Sequence, residues 1–171
     1  HTRFRNVTGV QTCALPIWFL KERIPTLAEE VASGKIIFEG KEIGIHSGFP
    51  FYTIGQREGL GVAVGEKIYV TEIDAKENKI FVGRDKELFH RGLIASNVNL
   101  IAYENIPVPI NVTAKIRYGD SGSSAKAYID GENKLHVIFD EPKRAITPGQ
   151  SVALYEGDDV IGGGVIDAVV E

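Results

Sequence analysis

The chain has 171 residues, 43% of them hydrophobic and 25% charged, a composition typical of a globular protein of one domain or two small ones. Its net charge of −4 disfavours a free-standing nucleic-acid-binding protein, which usually carries a basic excess, although a local basic patch stays compatible with it. No apolar run is long enough to cross a membrane, and the single cysteine, Cys13, excludes a disulfide within the chain, which fits a reducing compartment such as the cytoplasm without proving one.

Residues 1–17 resemble the translation of a sequencing adapter joined to a gene. The stretch is largely apolar, contains no acidic residue and shows no clear period. Appended segments of this kind have to be set aside before the fold is considered, and we expect this one to be disordered. The alternative is a natural N-terminal segment. In either case Cys13 is assigned no role, and residues 18–171 hold 17 basic and 23 acidic residues, a net charge of −6.

The next part of the chain predicts a small mixed domain. Apolar residues at helical spacing, from Leu20 to Val31, predict helical structure that Pro25 divides into two short helices. Two β-hairpins follow, the first turning at Glu39-Gly40. Their predicted strands cover residues 35–38 and 42–45, then 68–73 and 79–83.

A glycine-rich segment lies between the two hairpins, Phe51-Tyr-Thr-Ile-Gly-Gln-Arg-Glu-Gly-Leu-Gly61. Its glycines surround Gln56 and Arg57, and the guanidinium of an arginine suits a phosphate or a base edge. The spacing fits neither a dinucleotide-binding loop nor a Walker A loop. The segment is therefore either a plain glycine-rich turn or a tight loop that presents Gln56 and Arg57 to a partner.

From Leu93 onward the pattern is entirely β. Short strands at near-regular spacing predict a small closed barrel, and in one of them Leu135, Val137 and Phe139 share a face. Asp140-Glu141, followed by Pro142, predict the turn that ends this strand. The six predicted strands cover residues 93–101, 110–116, 124–129, 134–139, 151–155 and 160–165.

Two segments of the predicted barrel carry candidate binding residues. Arg117 and Tyr118 end a strand and offer one fork for a phosphate and one ring for stacking on a base, or else a rim tyrosine beside a solvated arginine. Pro148-Gly149 predicts a type II turn that aims the side chain of Gln150 and frees its amide, or is a plain turn before a strand. Lys143 and Arg144 lie next to this turn and could attract phosphate.

Other polar and glycine-rich patterns favour structural roles. Gly162-Gly-Gly164 is typical of a strand bulge or close packing at a barrel corner. His46, His90 and His136 lack metal-ligand spacing, and no nucleophile and base lie together. The sequence therefore predicts no catalytic and no metal-binding residue in this chain.

Three motifs, taken in order, resemble the C-terminal half of the bacterial tRNA-specific 2-thiouridylases, which replace oxygen by sulfur at C2 of the wobble uridine in certain tRNAs. They are the segment ending at Gly61, Ala114-Lys-Ile-Arg-Tyr118, and the stretch 139–155 with its closing 162–166. The resemblance runs from about Phe19 to about Ile166. It implies a mainly β fold with a small α+β part, in which a central domain, 18–89, precedes a C-terminal six-stranded-type barrel, 90–171, similar to domain 2 of elongation factors.

The resemblance also implies functional residues. In the family, the residues that match Arg117, Tyr118 and Gln150 contact tRNA, at its anticodon arm. Gln56 and Arg57 are weaker candidates for an RNA or interdomain contact, and Lys143 and Arg144 for added phosphate attraction. Where some members of the family have further basic residues after Arg-Tyr, this chain has Gly119-Asp120, which weakens the local positive field.

The family's chemistry requires parts that this sequence lacks. A Ser-Gly-Gly-x-Asp-Ser loop binds ATP, which activates the uridine, and two cysteines deliver sulfur from a sulfur-relay donor protein. Since neither the loop nor the cysteine pair is in the sequence, we expect this chain alone to be inactive and to bind no cofactor, with ATP used by the full-length enzyme. The competing interpretation is a non-enzymatic RNA- or protein-binding β-barrel module of translation-factor type.

Overall fold

A computed structural model describes Val31 and residues 33–171, which form two compact units, one ending at Asp85 and the other running Lys86–Glu171. The described residues are mostly in strands, which confirms the predicted mainly β class. The adapter-like residues 1–17 and the predicted helical stretch, apart from Val31, lie outside the described residues. The chain divides four residues before the predicted boundary at 89/90.

The first unit is a four-stranded mixed sheet. Both predicted hairpins form, and the first strand runs parallel to the fourth, so that the hairpins lie side by side in the order β2-β1-β4-β3. Ile36, Val70 and Ile80 of this sheet are fully buried, and Leu60 of the glycine-rich segment belongs to the same core. The strands are β1 (Gly34–Phe38), β2 (Lys41–His46), β3 (Tyr69–Asp74) and β4 (Lys79–Gly83), with a short 3₁₀ helix at Phe49–Phe51.

His46 is the one buried polar residue of the described chain, with 2% of its surface exposed. Its Nδ1 accepts a hydrogen bond from the Gly48 N–H at 3.1 Å, and its Nε2 lies 3.2 Å from the Asn78 carbonyl oxygen. Both bonds form together only when the proton is on Nε2, so the ring is held as one neutral tautomer. Burial lowers the pKa of His46, and the bond to Asn78 opposes that shift.

The second unit is a closed six-stranded antiparallel barrel, as predicted. Alternate residues along each strand point inward, and Phe139 is the largest side chain of the fully buried core. Leucine, isoleucine and valine fill most of the other interior positions, with alanines such as Ala95, Ala114 and Ala127 among them. The strands are β5 (Phe89–Leu100), β6 (Ile110–Lys115), β7 (Ser123–Ile129), β8 (Leu135–Arg144), β9 (Ser151–Glu156) and β10 (Asp159–Val170), in the order β10-β5-β8-β7-β6-β9.

Strand β8 confirms the predicted alternation but not its predicted end. Leu135, Val137 and Phe139 face the interior. The expected turn at Asp140–Pro142 is wrong, because the strand continues through these residues to Arg144. The pairing with β5 jumps from Gly92↔Ile138 to His90↔Lys143, so the extra residues form a bulge. A proline is tolerated there because a bulge does not require its missing N–H.

The glycines of β10 allow the close approach of neighbouring strands, as the sequence predicts. A Cβ added to Gly163 would lie 2.2 Å from the Val152 carbonyl oxygen on β9. The register of β10 also shifts beside these glycines, between Val160 and Gly162 against β9 and between Gly163 and Val165 against β5. Gly163 is therefore required where β10 pairs with β5 on one side and with β9 on the other, next to these register shifts.

We predict that Gly163→Ala destabilises the barrel by about 1–3 kcal/mol, because its methyl group overlaps backbone that cannot move without breaking the β9–β10 pairing. Urea or thermal unfolding measures the change. Gly131→Ala is the matched control, since a Cβ at Gly131 meets nothing within 4 Å. Equal stability of the two variants would contradict the proposed packing.

We predict that His46 makes the first unit less stable as the pH falls below about 6.5. The pKa is lower in the folded chain than its unfolded value of 6.5, so the unfolded chain takes up the proton first and stability is lost on acidification. Urea unfolding from about pH 7.5 to about pH 5.5 measures this loss, which His46→Gln should reduce and the control His90→Gln should leave unchanged. An unchanged slope in His46→Gln would show that His46 does not cause it.

Candidate nucleic-acid interface

Two chain connections meet at one end of the barrel. The β6–β7 connection, residues 116–122, carries Arg117 and Tyr118, and the β8–β9 connection, residues 145–150, carries Gln150. They lie at the same end because β6 and β8 both finish there and β7 and β9 both begin there, in an antiparallel sheet. The barrel topology thus places side by side the two segments in which the sequence predicts tRNA contacts.

The β6–β7 connection is held closed by Asp120. Its carboxylate accepts hydrogen bonds from the backbone N–H of Ile116 and of Gly122, each at 3.1 Å, and its own N–H donates to the Arg117 carbonyl at 3.2 Å. Tyr118 lies at the tip of this closed loop with its side chain fully exposed, at 101%. The arrangement presents an aromatic ring to solvent on a locally fixed backbone.

Lys143, from the end of β8, pairs with the same carboxylate. Its Nζ lies 2.8 Å from Oδ1 of Asp120 and donates at 2.8 Å to Oγ of Ser123. The two side chains are only 16% and 8% exposed. Burial by itself raises the pKa of Asp120, but the bonds from Lys143 and from the two backbone N–H groups outweigh it and hold the pKa below its ordinary value.

Arg117 links the first connection to the second. Its Nη2 donates to the carbonyl oxygens of Arg144 at 3.0 Å and of Ala145 at 3.1 Å. Ala145 has a φ of +54°, a left-handed conformation that is unusual for alanine, and its N–H donates to the Leu88 carbonyl at 2.8 Å. Thr147 Oγ1 donates to the Ala145 carbonyl as well. Contacts on both sides of this residue therefore hold it in a strained conformation.

The predicted turn at Thr147–Gln150 forms. Gly149 has a φ of +86°, as the third residue of a type II turn requires, and the Gln150 N–H closes the turn on the Thr147 carbonyl at 3.2 Å. The expectation that the amide of Gln150 is free is therefore wrong for its backbone N–H. The backbone of Gly149 and Gln150 also exchanges hydrogen bonds with Ile166 of β10, both at 2.8 Å. The Gln150 side chain is exposed on a turn anchored to the barrel wall.

Gln56 and Arg57 belong to the first unit. The Gln56 side chain serves its own loop, since Oε1 accepts from the Thr53 N–H at 3.0 Å and Nε2 donates to the Glu58 carbonyl at 2.9 Å. Its backbone carbonyl accepts from the Val70 N–H at 2.9 Å. Arg57 is exposed. The glycine-rich segment is thus a self-closed loop that leaves Arg57 as its outward-facing cation.

Sequence reasoning missed two contributors to the barrel end. From the sequence, Asp120 is considered only as a charge that weakens the positive field. An aspartate in a turn commonly accepts a hydrogen bond from the backbone N–H two residues further on, as Asp120 does from Gly122. Lys115, just before the β6–β7 connection, places its Nζ 4.5 Å from the centre of the Tyr155 ring, a cation–π contact. Its partner lies on β9, so no local pattern could indicate it.

The chemistry of this end suits binding. It offers an exposed ring for stacking, an exposed amide and an arginine fork, which are groups that recognise single-stranded bases and phosphates. Among the described residues, no group of three or more His, Cys, Asp and Glu side chains is arranged to hold a metal ion. In the same part of the chain, no helix has the length and hydropathy to cross a bilayer.

Comparison with known proteins matches the two halves of the chain to two family models. Residues 18–84 match the tRNA methyl transferase PRC-barrel domain, and residues 90–166 match the aminomethyltransferase β-barrel domain. The second match spans the six-stranded barrel nearly to its end.

Curated relatives match across both halves. The tRNA-specific 2-thiouridylase MnmA of Salinibacter ruber is 48% identical over 152 residues, which is 88% of this chain and 40% of the relative. The Chlorobaculum tepidum protein of the same name is 47% identical over 88% of this chain and 42% of its own length, and that of Carboxydothermus hydrogenoformans 43% identical over 87% and 40%. This chain therefore spans about 40% of the length of these relatives, corresponds to their C-terminal part, and belongs to the family of tRNA-specific 2-thiouridylases.

Proposed function

We propose that this chain is the tRNA-binding part of a tRNA-specific 2-thiouridylase, with a central domain over residues 18–89 and a barrel domain over 90–171. The observation that carries the proposal is the barrel end, where the fully exposed Tyr118 and the anchored turn of Gln150 lie on adjoining connections. The relatives that match this chain are named for an activity on tRNA. Its task in the proposal is to hold the anticodon arm.

Each exposed group has a distinct role in the proposed contact. Tyr118 stacks on an unpaired base, and Gln150 reads a base edge or a sugar through its amide. Arg117 uses Nη2 on the two backbone carbonyls, and the N–H groups of its Nη1 and Nε reach a phosphate. Arg144 adds positive charge beside them. In the first unit Arg57 is the better RNA or interdomain candidate, because the Gln56 amide is engaged within its loop.

The proposal extends to the reaction of the whole protein. We infer ATP-dependent replacement of oxygen by sulfur at C2 of the wobble uridine, in the cytoplasm, with sulfur supplied by a relay donor protein. ATP activates the C2 oxygen as a leaving group and a cysteine persulfide delivers the sulfur. We assign the residues for these steps to the part of the relatives that this chain does not span, since its match covers 40% of the Salinibacter ruber protein. The present chain positions the tRNA for them.

We predict that Tyr118→Ala weakens tRNA binding by about 1–3 kcal/mol, the usual cost of losing one base–aromatic stack. Filter binding or fluorescence anisotropy with an unmodified tRNA transcript bearing uridine at the wobble position measures the loss. Tyr103→Ala is the matched control, because this tyrosine precedes β6 and so lies at the opposite end of the barrel. Equal affinities of wild type and Tyr118→Ala would remove Tyr118 from the interface.

We predict that the purified chain does not form 2-thiouridine. The sequence has neither a Ser-Gly-Gly-x-Asp-Ser loop nor a cysteine besides Cys13. The chain is incubated with tRNA, ATP and a sulfide source, and nucleosides from the digested tRNA are analysed by mass spectrometry. A full-length relative such as the Salinibacter ruber enzyme is the positive control. ATP-dependent 2-thiouridine made by the chain alone would overturn the division of labour proposed here.

A further inference from the structure

We propose that the Asp120–Lys143 ion pair is a positioning device that holds Tyr118 in register with the Gln150 turn, so that tRNA meets a preformed surface. This inference rests on the proposed function. Lys143 then positions the loop instead of attracting phosphate. Asp120 then favours tRNA binding, although its negative charge alone would oppose it.

The Tyr118 loop is closed by the carboxylate of Asp120. Asp120 binds the backbone on both sides of the loop, at Ile116 and at Gly122, and both bonds use its carboxylate. Without that carboxylate, two backbone N–H groups lose their acceptor and the residues between them are free to move. The direction of the Tyr118 ring therefore depends on Asp120.

Side-chain bonds join this loop to the end of β8 and to the segment that follows it. Lys143 reaches Asp120 and Ser123 from the end of β8, and the next two residues along the chain carry the carbonyl groups that bind Arg117. The chain then runs directly into the turn that ends at Gln150. Lys143, at the end of β8, thus donates to Asp120 in the first connection, and Arg117 in the first connection donates to Ala145 in the second. The Tyr118 loop and the Gln150 turn cannot shift independently while both sets of bonds are made.

The charges of Asp120 and Lys143 do not by themselves account for a role in tRNA binding. A carboxylate next to a nucleic-acid site repels phosphate, so an aspartate that only contributed charge would weaken binding. Lys143 is a poor phosphate ligand here, because its side chain is 16% exposed and its Nζ already has two acceptors at 2.8 Å. The pair cancels its own charge within the barrel end. What remains is a geometric effect on the two connections.

The decisive experiment is Asp120→Asn in the full chain, measured for affinity to the unmodified wobble-uridine tRNA transcript. If Asp120 acts through charge, the variant gains one net positive charge and binds tRNA more tightly. If Asp120 positions the loop, the variant binds about three- to tenfold more weakly, the cost of ordering one or two side chains on binding. The matched control is Asp140→Asn, an exposed acid on β8 three residues before Lys143, which should bind at least as tightly as wild type.

The salt dependence of binding separates positioning from phosphate contact. Lys143→Met should weaken binding while the slope of log affinity against log salt stays that of wild type, whereas loss of a phosphate contact lowers the slope by about 1. The double variant Asp120→Asn/Lys143→Met keeps the net charge of wild type and should still bind weakly. Ser123→Ala, which removes one acceptor of Lys143 without changing charge, serves if Asp120→Asn does not fold, and should weaken binding with the slope unchanged.

The outcomes also distinguish this inference from the proposed function. If the wild-type chain binds no tRNA, the proposed function fails and the inference fails with it. If wild type binds and Asp120→Asn binds as tightly as Asp140→Asn, only the positioning role is overturned. If Ser123→Ala binds with wild-type affinity and Lys143→Met lowers the salt slope, Lys143 contacts phosphate and does not position the loop.

Discussion

The arrangement of the second unit depends on the hydrogen bonds that close its barrel, those of β10 with both β5 and β9. Without the pairing of β10 with β9, the six strands would form an open sheet with β9 and β10 as its two exposed edges. Closure brings all strand ends onto two rims, and the alternation along each strand then buries one continuous core around Phe139. This closure depends on Gly163, because only a residue without a side chain lets β9 come so close to β10. The same pairing holds the Gln150 turn, because the backbone of Gly149 and Gln150 is hydrogen-bonded to Ile166 of β10.

The electrostatics of the barrel end are compatible with the proposed nucleic-acid site, although the chain has a net charge of −4. Lys143 is neutralised by Asp120, and Arg117 spends part of its guanidinium on backbone carbonyls. In our proposal the surface therefore relies on the ring of Tyr118, on a loop closed by Asp120, and on the side-chain amide of Gln150, on an anchored turn, more than on positive charge. Such a site gains affinity from stacking and from preorganisation, and it depends on salt less steeply than a basic groove does.

The two glycine-rich parts of the chain have different structural roles. In the first unit, the segment around Gln56 closes on itself through a side-chain amide and buries Leu60 in the sheet core. In the barrel, the glycines of β10 have no loop to close and instead allow strands to approach. Similar composition thus produces a self-contained loop in one place and a packing corner in the other, because the neighbours differ. The family resemblance spans both segments and does not by itself separate these roles.

The sequence alone determined the strands of both units, the turn at Pro148-Gly149 and the inward face of β8, because alternation and turn chemistry are properties of a few neighbouring residues. Its three motifs also indicated the family, since their order and spacing are specific. Only the tertiary structure decided that β8 runs on through Pro142, since a bulge depends on the register against β5. It alone paired Lys143 with Asp120, 23 residues apart, and Arg117 with Ala145, 28 residues apart. Contacts at that separation follow from the pairing of β7 with both β6 and β8, which no local pattern of residues encodes.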